Sequence, residues 1–122
     1  MTRFDSAIIK RIDAARSLGV RSGDTHKHTS VWVVVVQGRV LVRSWNDKPT
    51  GWFRAFLRKP AGAIRIGRKE FPTRGVRVRS PKLLSAMNAA IAAKYPHKGS
   101  QQYVLGFRTP KRKASTLEFL PT

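Results

Sequence analysis

An apolar run of six residues, Val31-Trp-Val-Val-Val-Val36, constrains the fold of this chain more than any other segment. Five of the six are valines, whose β-branched side chains favour a strand, and a strand without a polar face is buried on both sides. Gln37-Gly38 then supplies residues suited to a tight turn, and a second strand-like segment, Arg39-Val-Leu-Val-Arg-Ser-Trp45, follows. The sequence therefore predicts a β-hairpin over residues 31–45, with residues 31–36 at the centre of a sheet.

The rest of the chain alternates between helical and extended patterns. Apolar residues recur at helical spacing from Phe4 to Ala15, residues 19–29 are polar and indicate a loop, and Ser80-Pro81 is typical of a helix start. The predicted elements outside the hairpin are a helix over residues 5–18, a short helix over 50–59, two strands within 62–79 that are joined near residues 68–74, a helix over 81–95 and a final strand over 114–120. This order predicts an α+β fold whose antiparallel strands close into a barrel.

Length and composition bound the class of protein. A chain of 122 residues corresponds to one domain, which we expect to span residues 1–122. The absence of cysteine excludes disulfide scaffolds, thiol catalysis and cysteine-ligated metal sites. The apolar run is shorter than the roughly 18 residues that a membrane helix needs, and the first residues lack the apolar stretch of a signal peptide. We therefore expect no membrane contact and a cytoplasmic location.

The chain is strongly basic: 25 Lys and Arg residues against 6 Asp and Glu residues give a formal net charge of +19. Such a charge attracts any polyanion, including nucleic acid and phosphorylated cofactors. Two interpretations stay open at this point, a solvated surface that is merely basic and a face that binds phosphate. Under the second, the Lys111-Arg-Lys113 stretch is a candidate contact for nucleic acid phosphates, although no base-stacking or groove-reading motif is recognisable.

Several short stretches, taken together, resemble one family. They are Ser30-Val-Trp-Val-Val-Val-Val36, Leu41-Val-Arg-Ser44, Gly51-Trp-Phe-Arg54, Gly62-Ala-Ile-Arg-Ile-Gly67, Ala92-Ala-Lys-Tyr95 and Ala114-Ser-Thr-Leu117. In this order they resemble the small bacterial proteins classed as domain of unknown function 2255, within the FMN-binding split-barrel superfamily. More distantly, the segment from Ser44 to Val78 is similar to the deazaflavin-dependent nitroreductases.

The resemblance implies a small antiparallel split β-barrel of about six strands with three flanking helices, assembled as a homodimer. It also implies a flavin-type or other phosphorylated cofactor, FMN or a deazaflavin, and with it an oxidoreductase role. The resemblance assigns no reaction, so the substrate and the catalytic residues stay open. Because a flavin carries its own redox chemistry, the lack of an acid–base motif does not exclude a reductase.

Five residues are candidates for holding such a cofactor. Arg43 and Ser44 match a family motif at the end of the hairpin's second strand, where a guanidinium beside a hydroxyl suits a phosphate. Arg54 adds a positive charge in the short helix. Arg65 lies in the strand that, by the resemblance, contributes phosphate contacts in split barrels. Trp52 is either a packing residue or a ring that borders the isoalloxazine.

No other chemistry stands out in the sequence. His26 and His28 lie in a polar loop with no third ligand nearby, so no metal site is predicted. The six carboxylates show no close pairing, which argues against glycoside hydrolysis and two-metal catalysis. Three functions therefore stay open: a cofactor-binding oxidoreductase, a non-enzymatic protein that binds nucleic acid or another polyanion, and a barrel that has lost its ligand.

Overall fold

The computed structural model describes residues 3–24 and 27–122. Within these residues the chain forms seven β-strands, five α-helices and one short 3-10 helix. The strands are β1 (Ser17–Ser22), β2 (Thr29–Trp32), β3 (Val34–Val36), β4 (Arg39–Arg43), β5 (Ala61–Ile66), β6 (Lys69–Arg77) and β7 (Thr116–Pro121). The helices are α1 (Ser6–Ala14), α2 (Trp52–Arg58), α3 (Pro81–Lys94), α4 (Gln101–Gly106), α5 (Pro110–Lys113) and the 3-10 helix Lys98–Ser100. None of the helices in this part of the chain has the length and apolar character needed to cross a membrane.

The strands form one antiparallel sheet that nearly closes into a barrel. The sheet order is β2-β1-β5-β6-β7-β4-β3, and each pair of neighbours is antiparallel. The two edge strands, β2 and β3, are consecutive in the chain and are separated by Val33 alone. The seam of the barrel is therefore a bend within one extended segment.

Apolar side chains fill the barrel and also cover one side of its outer surface. The inner cluster joins strand residues such as Leu18, Ile64 and Leu117, all fully buried, to Phe53 and Phe56 of α2. The outer cluster joins β3 and β4 to α3 and α4. The helix that follows Ser80, α3, packs against the outside of the sheet.

Two local predictions are confirmed by the backbone. Gln37 and Gly38 have φ angles of 53° and 76°, which suit a two-residue hairpin turn, and they join β3 to β4. The Ser80 hydroxyl accepts a hydrogen bond of 3.2 Å from the backbone N–H of Leu83, so Ser80 caps α3, and Pro81 is its first residue.

The numbers of strands and helices differ from the predicted six and three. The predicted helix 5–18 ends at Ala14, and the expected loop 19–29 contains most of β1. In β1 the buried residues Leu18, Val20 and Ser22 alternate with less buried ones, a pattern that Gly19 obscures in the sequence. The helices α4 and α5 have six and four residues, lengths at which packing rather than helix propensity provides the stability.

Residues 31–36 do not form one central strand, which corrects the prediction. They are divided between the edge strands β2 and β3 because the peptide groups of Val33 bind side chains from the end of α3. The Val33 N–H donates to the Tyr95 hydroxyl at 3.1 Å, and the Lys94 ammonium donates to the Val33 carbonyl at 2.8 Å. Val33 is therefore anchored to α3 at the seam.

The connection between β5 and β6 is also shorter than expected. The sequence places it near residues 68–74, whereas the structure has a turn at Gly67 and Arg68 and continues β6 from Lys69. Gly67 has a φ of 58°, a conformation that favours glycine. Pro72 obscures the strand pattern, although burial alternates along β6 in its central part.

Candidate functional site

A cavity of about 500 Å³ opens between β2, the loop that joins β4 to α2, and α4. We call it the aromatic cavity. Its lining residues are Thr29, Ser30, Val31, Trp32, Arg43, Trp45, Asn46, Lys48, Thr50, Gly51, Trp52, Tyr103 and Phe107. All three tryptophans of the chain are among them, and no carboxylate is. Its volume lies within the range of about 300–1,000 Å³ that is usual for small-molecule sites.

Contacts between aromatic rings fix one wall of this cavity. Trp32 stacks on Tyr95, with centroids 4.0 Å apart and planes at 6°. Trp45 meets Tyr103 and Phe107 edge to face, each at 5.1 Å. Phe107 also lies 5.8 Å from the Trp32 ring, so the two tryptophans are joined through shared neighbours. Such pairs favour defined ring orientations, and the wall is therefore preorganised.

The Trp45 ring is held from a second direction by Arg112. The guanidinium carbon lies 3.6 Å from the centroid of the indole ring, and Nε donates to the Trp45 carbonyl at 3.0 Å. Another guanidinium N–H donates to the Gly106 carbonyl at 3.1 Å. A Cβ at Gly106 would lie 2.7 Å from Cζ3 of Trp45, so this close packing needs glycine.

Tyr95 holds the opposite end of the wall, next to Trp32. Its hydroxyl donates to the Arg16 carbonyl at 2.6 Å and accepts from the Val33 N–H. Burial raises the pKa of this phenol, and burial lowers the pKa of the neighbouring Lys94 ammonium. Lys94 and Tyr95 are part of the Ala92-Ala-Lys-Tyr95 motif, and their contacts give that motif a structural role.

Arg43 is a buried cation in the lining, only 3% exposed. Nε donates to Thr116 Oγ1 at 2.8 Å, Nη1 donates to Asn88 Oδ1 and the Phe107 carbonyl at 2.6 and 3.1 Å, and Nη2 donates to the Leu84 carbonyl at 3.3 Å. Four of its five N–H groups thus have acceptors in the described part of the chain, and none is a carboxylate. Burial lowers the pKa of Arg43 to about 10, so it stays charged at neutral pH.

The structure brings two of the five predicted site residues into the aromatic cavity, Arg43 and Trp52. Arg43 has one N–H left for a phosphate, because the other four have acceptors within the described chain. Trp52 is half-buried. Ser44 is buried, and its hydroxyl donates to the Asn46 carbonyl at 2.8 Å. It faces the adjoining cavity instead.

Arg54 and Arg65 lie outside the aromatic cavity. Arg54 is exposed and forms two hydrogen bonds to the Asp47 carboxylate, at 2.7 and 2.6 Å. These bonds lower the pKa of Asp47 and raise that of Arg54. Arg65 is exposed on β5. His26 falls outside the described residues, so the structure adds nothing to its assignment.

A second cavity, of about 570 Å³, adjoins the first and shares Trp45, Asn46 and Lys48 with it. We call it the basic cavity. It is lined by Ser44, Trp45, Asn46, Asp47, Lys48, Pro49, Thr109, Lys111, Arg112 and Ser115. Its one carboxylate, Asp47, is already paired with Arg54. The ammonium groups of Lys48 and Lys111 make no hydrogen bond or ion pair with any residue that the structure describes.

Sequence reasoning missed most of the cavity lining. Trp32 is part of the apolar run and Trp45 ends the predicted hairpin, so both patterns indicate core packing. Tyr103 and Phe107 lie in a segment with no clear periodicity, and Lys48 is one of many lysines. The three tryptophans among the 122 residues were the available sequence signal for this site, because the structure places all three in the lining of one cavity.

Comparison with known proteins identifies a family and a fold. The profile of a family described as "Uncharacterized protein conserved in bacteria (DUF2255)" matches residues 8–119. Among solved structures, the chain is similar to a conserved hypothetical protein from Mycobacterium tuberculosis, with a TM-score of 0.60 and 14% identity over 99% of this chain and 81% of that one. At this identity the likeness concerns the fold. No curated protein matches the chain.

Proposed function

The chain belongs to the DUF2255 family, and we propose that it binds a flavin-type cofactor, a planar aromatic ring that carries a phosphate, in an oxidoreductase role. One observation carries the proposal. A cavity lined by every tryptophan of the chain opens beside a cavity lined by three cations, and Trp45, Asn46 and Lys48 border both. A ligand with a flat ring at one end and a phosphate at the other matches this pair.

The aromatic cavity fits the ring of such a cofactor. Its volume of about 500 Å³ suits a ligand of cofactor size. Its aromatic lining offers stacking and edge contacts to a planar ring and keeps water away from its faces. Trp52 lines the cavity without belonging to the Trp32–Tyr95 or Trp45–Phe107 pairs. Its indole meets Phe53 edge to face at 6.2 Å and packs against the inner cluster, and its half-exposed remainder is the part that contacts a ring in this proposal.

The basic cavity fits the phosphate. Lys48 and Lys111 are exposed and form no ion pair with a described residue, while the one carboxylate of this cavity, Asp47, is paired with Arg54. Ammonium groups bind phosphate through charge-assisted hydrogen bonds, and a surrounding excess of positive charge raises the local concentration of anions. The phosphate contacts in this proposal are therefore Lys48 and Lys111, rather than Arg54 or Arg65.

The cofactor itself would supply electron and hydride transfer. The residues of this chain bind it and orient it: the Trp32–Trp45 wall sets the plane of the ring, and Lys48 and Lys111 set the position of the phosphate. Arg43 places a fixed positive charge beside the ring. The homodimer implied by the family resemblance stays a prediction, and sedimentation of the purified protein would test it.

Titration with FMN tests the proposal. We expect saturable quenching of the flavin fluorescence, and we expect Trp52→Leu to weaken FMN binding by roughly tenfold, since stacking on an aromatic side chain contributes about 1–3 kcal/mol. Phe71→Leu is the matched control, because Phe71 is also half-buried and lines neither cavity. No quenching by FMN or by a deazaflavin at neutral pH, or equal losses in the two variants, would contradict the proposal.

A further inference from the structure

A smaller cavity, of about 200 Å³, adjoins the aromatic cavity on a different flank. We call it the small cavity. It shares Thr29, Thr50, Gly51 and Trp52 with the aromatic cavity and shares no residue with the basic cavity. The aromatic cavity therefore lies between the small cavity and the basic cavity. The proposed phosphate position is in the basic cavity, on the other side of the aromatic cavity from the small one. Trp52 borders both the small cavity and the proposed ring position.

The small cavity is lined by three cations, Arg21, Lys27 and Arg58, and by no carboxylate. Nη2 of Arg21 pairs with Glu70 at 2.7 Å and Nη1 donates to the Asp24 carbonyl at 3.2 Å. The Nε atom of Arg21 is buried and has no hydrogen-bond acceptor in the described chain. A buried N–H is not reached by a ligand in an open cavity, so Arg21 contributes its positive charge to the lining rather than a free donor.

The Ser22 hydroxyl in the lining lies within hydrogen-bond distance of the Ala55 and Lys59 carbonyls, but the other two cations and two threonine hydroxyls stay available. Lys27 forms no ion pair with a described residue, and Arg58 donates one hydrogen bond, to the Pro49 carbonyl at 3.1 Å. Thr29 and Thr50 are exposed and add two hydroxyl groups at the border with the aromatic cavity. Together these side chains supply several donors around one compact space.

We propose that the small cavity is a substrate subsite for a compact anion, a small molecule that carries a carboxylate or a phosphate. An anion held there lies beside Trp52 and next to the proposed ring, where a substrate of a bound flavin would lie. The role as a substrate subsite rests on the proposed function, whereas anion binding in the small cavity does not.

Size favours a small ligand in this cavity. At about 200 Å³ it has less than half the volume of the aromatic cavity or of the basic cavity. Inorganic phosphate and malonate therefore suit it better than a nucleoside phosphate, and they are the small dianions proposed for the subsite.

Inorganic phosphate and malonate serve as probes, each titrated into the protein with and without FMN. Backbone amide resonances of Val20 and Ala55 report the small cavity, because these residues line it and neither larger cavity. We expect at least one probe to shift both resonances saturably, with FMN still bound. Arg58→Ala and Lys27→Ala should each weaken the probe by about tenfold, the usual loss of a charge-assisted hydrogen bond.

Arg68→Ala is the matched control, because Arg68 is exposed in the β5–β6 turn, carries the same charge and lines none of the three cavities. An equal loss in Arg68→Ala would overturn the proposal in favour of the general field of the protein. Displacement of FMN by the probe without a shift of the Val20 and Ala55 resonances would overturn it too, since the anion would then occupy the basic cavity alone. Tighter binding of a single-stranded oligonucleotide that depends on both Arg58 and Lys111 would replace the subsite by a nucleic acid groove.

The two proposals fail separately in this design. If FMN does not bind but a probe binds in an Arg58-dependent way, the flavin function fails and the anion site stands. If FMN binds and neither probe shifts Val20 and Ala55, the subsite fails and the flavin function stands.

Discussion

The cations around the aromatic cavity belong to two regions that differ in how they are held. In the wall, Arg43 is buried with four internal hydrogen bonds, and Arg112 is stacked on Trp45 and bonded to two carbonyl groups. At the rim, Lys48 and Lys111 are exposed, and their ammonium groups have no partner among the described residues. The wall cations build the site, and the rim cations are free to bind.

The difference follows from the chemistry of the two side chains. A guanidinium has five donors in a fixed plane and can satisfy several carbonyl groups at once, which suits a buried structural position. An ammonium is a compact charge on a flexible chain that reaches out to an anion from the surface. A high net charge therefore does not by itself locate a site. The number of internal hydrogen-bond acceptors around each cation shows which cations are free to bind a ligand.

Removal of Arg43 should lower the stability of the fold more than any loss at the rim or at Tyr95. Arg43→Met leaves Thr116, Asn88 and two carbonyl groups without their donor. Because each buried polar group that loses its partner costs about 1–3 kcal/mol, we expect the free energy of unfolding to fall by about 3 kcal/mol or more. Urea unfolding measures it.

Arg65→Met is the control for that comparison. Arg65 is exposed on β5, and its replacement should change the free energy of unfolding by no more than about 0.5 kcal/mol. If the two variants unfold at similar urea concentrations, Arg43 is not a structural cation and the distinction between wall and rim is lost.

The next effect concerns the hydroxyl that anchors the wall. Tyr95→Phe removes the bonds to Arg16 and Val33 and should cost about 1–3 kcal/mol of unfolding free energy. Tyr103→Phe is the matched change on the same wall, since Tyr103 is 41% exposed, and we expect a change below about 0.5 kcal/mol. Thermal unfolding of both variants checks this, and equal losses would show that Tyr95 acts through its ring alone.

The smallest expected effect is a pH dependence of the unfolding free energy. It arises at His28, the residue before Thr29 in the chain. Nε2 of His28 lies 2.9 Å from the Glu70 carboxylate without a well-aligned hydrogen bond. Burial and then the charge of Arg65 lower the pKa of His28 below its ordinary value of 6.5. Because the folded-state pKa is the lower one, the associated stability is present above pH 6.5 and is lost as the pH falls through the folded-state pKa.

His28→Gln should therefore flatten the decline in unfolding free energy between neutral and mildly acidic pH, whereas replacement of the exposed His97 by Gln should leave it. Denaturant unfolding at a series of pH values measures this. A decline in His28→Gln as steep as in the wild type would assign the pH dependence to other groups.

Local patterns predicted much of the fold but little of the site. Ser80-Pro81 and Gln37-Gly38 determine a helix start and a turn through their own backbone preferences, so the sequence was sufficient there. The division of residues 31–36 depends on Lys94 and Tyr95, about sixty positions away, which no local pattern contains. The order of the elements predicted an antiparallel barrel, and the family resemblance implied about six strands, one too few.

The site shows the same limit. Arg43 matched a motif and suggested phosphate binding, yet Thr116, Asn88 and Phe107, which accept its hydrogen bonds, come from distant segments. Trp45 and Lys48 meet at the border of two cavities because a loop brings them there. The tertiary structure determines which cations lack internal partners, and a count of charged residues does not show which ones they are.

The most direct test of the account compares FMN with riboflavin, which lacks the phosphate, on the wild type and on the double variant Lys48→Ala/Lys111→Ala. We expect the wild type to prefer FMN by about tenfold or more, as one or two charge-assisted hydrogen bonds provide, and the variant to bind the two flavins alike, with a larger loss for FMN than for riboflavin. The double variant Lys10→Ala/Lys82→Ala removes the same charge from exposed helix positions and should keep the wild-type preference. The same preference for FMN in all three proteins would contradict the assignment of the rim lysines to the phosphate.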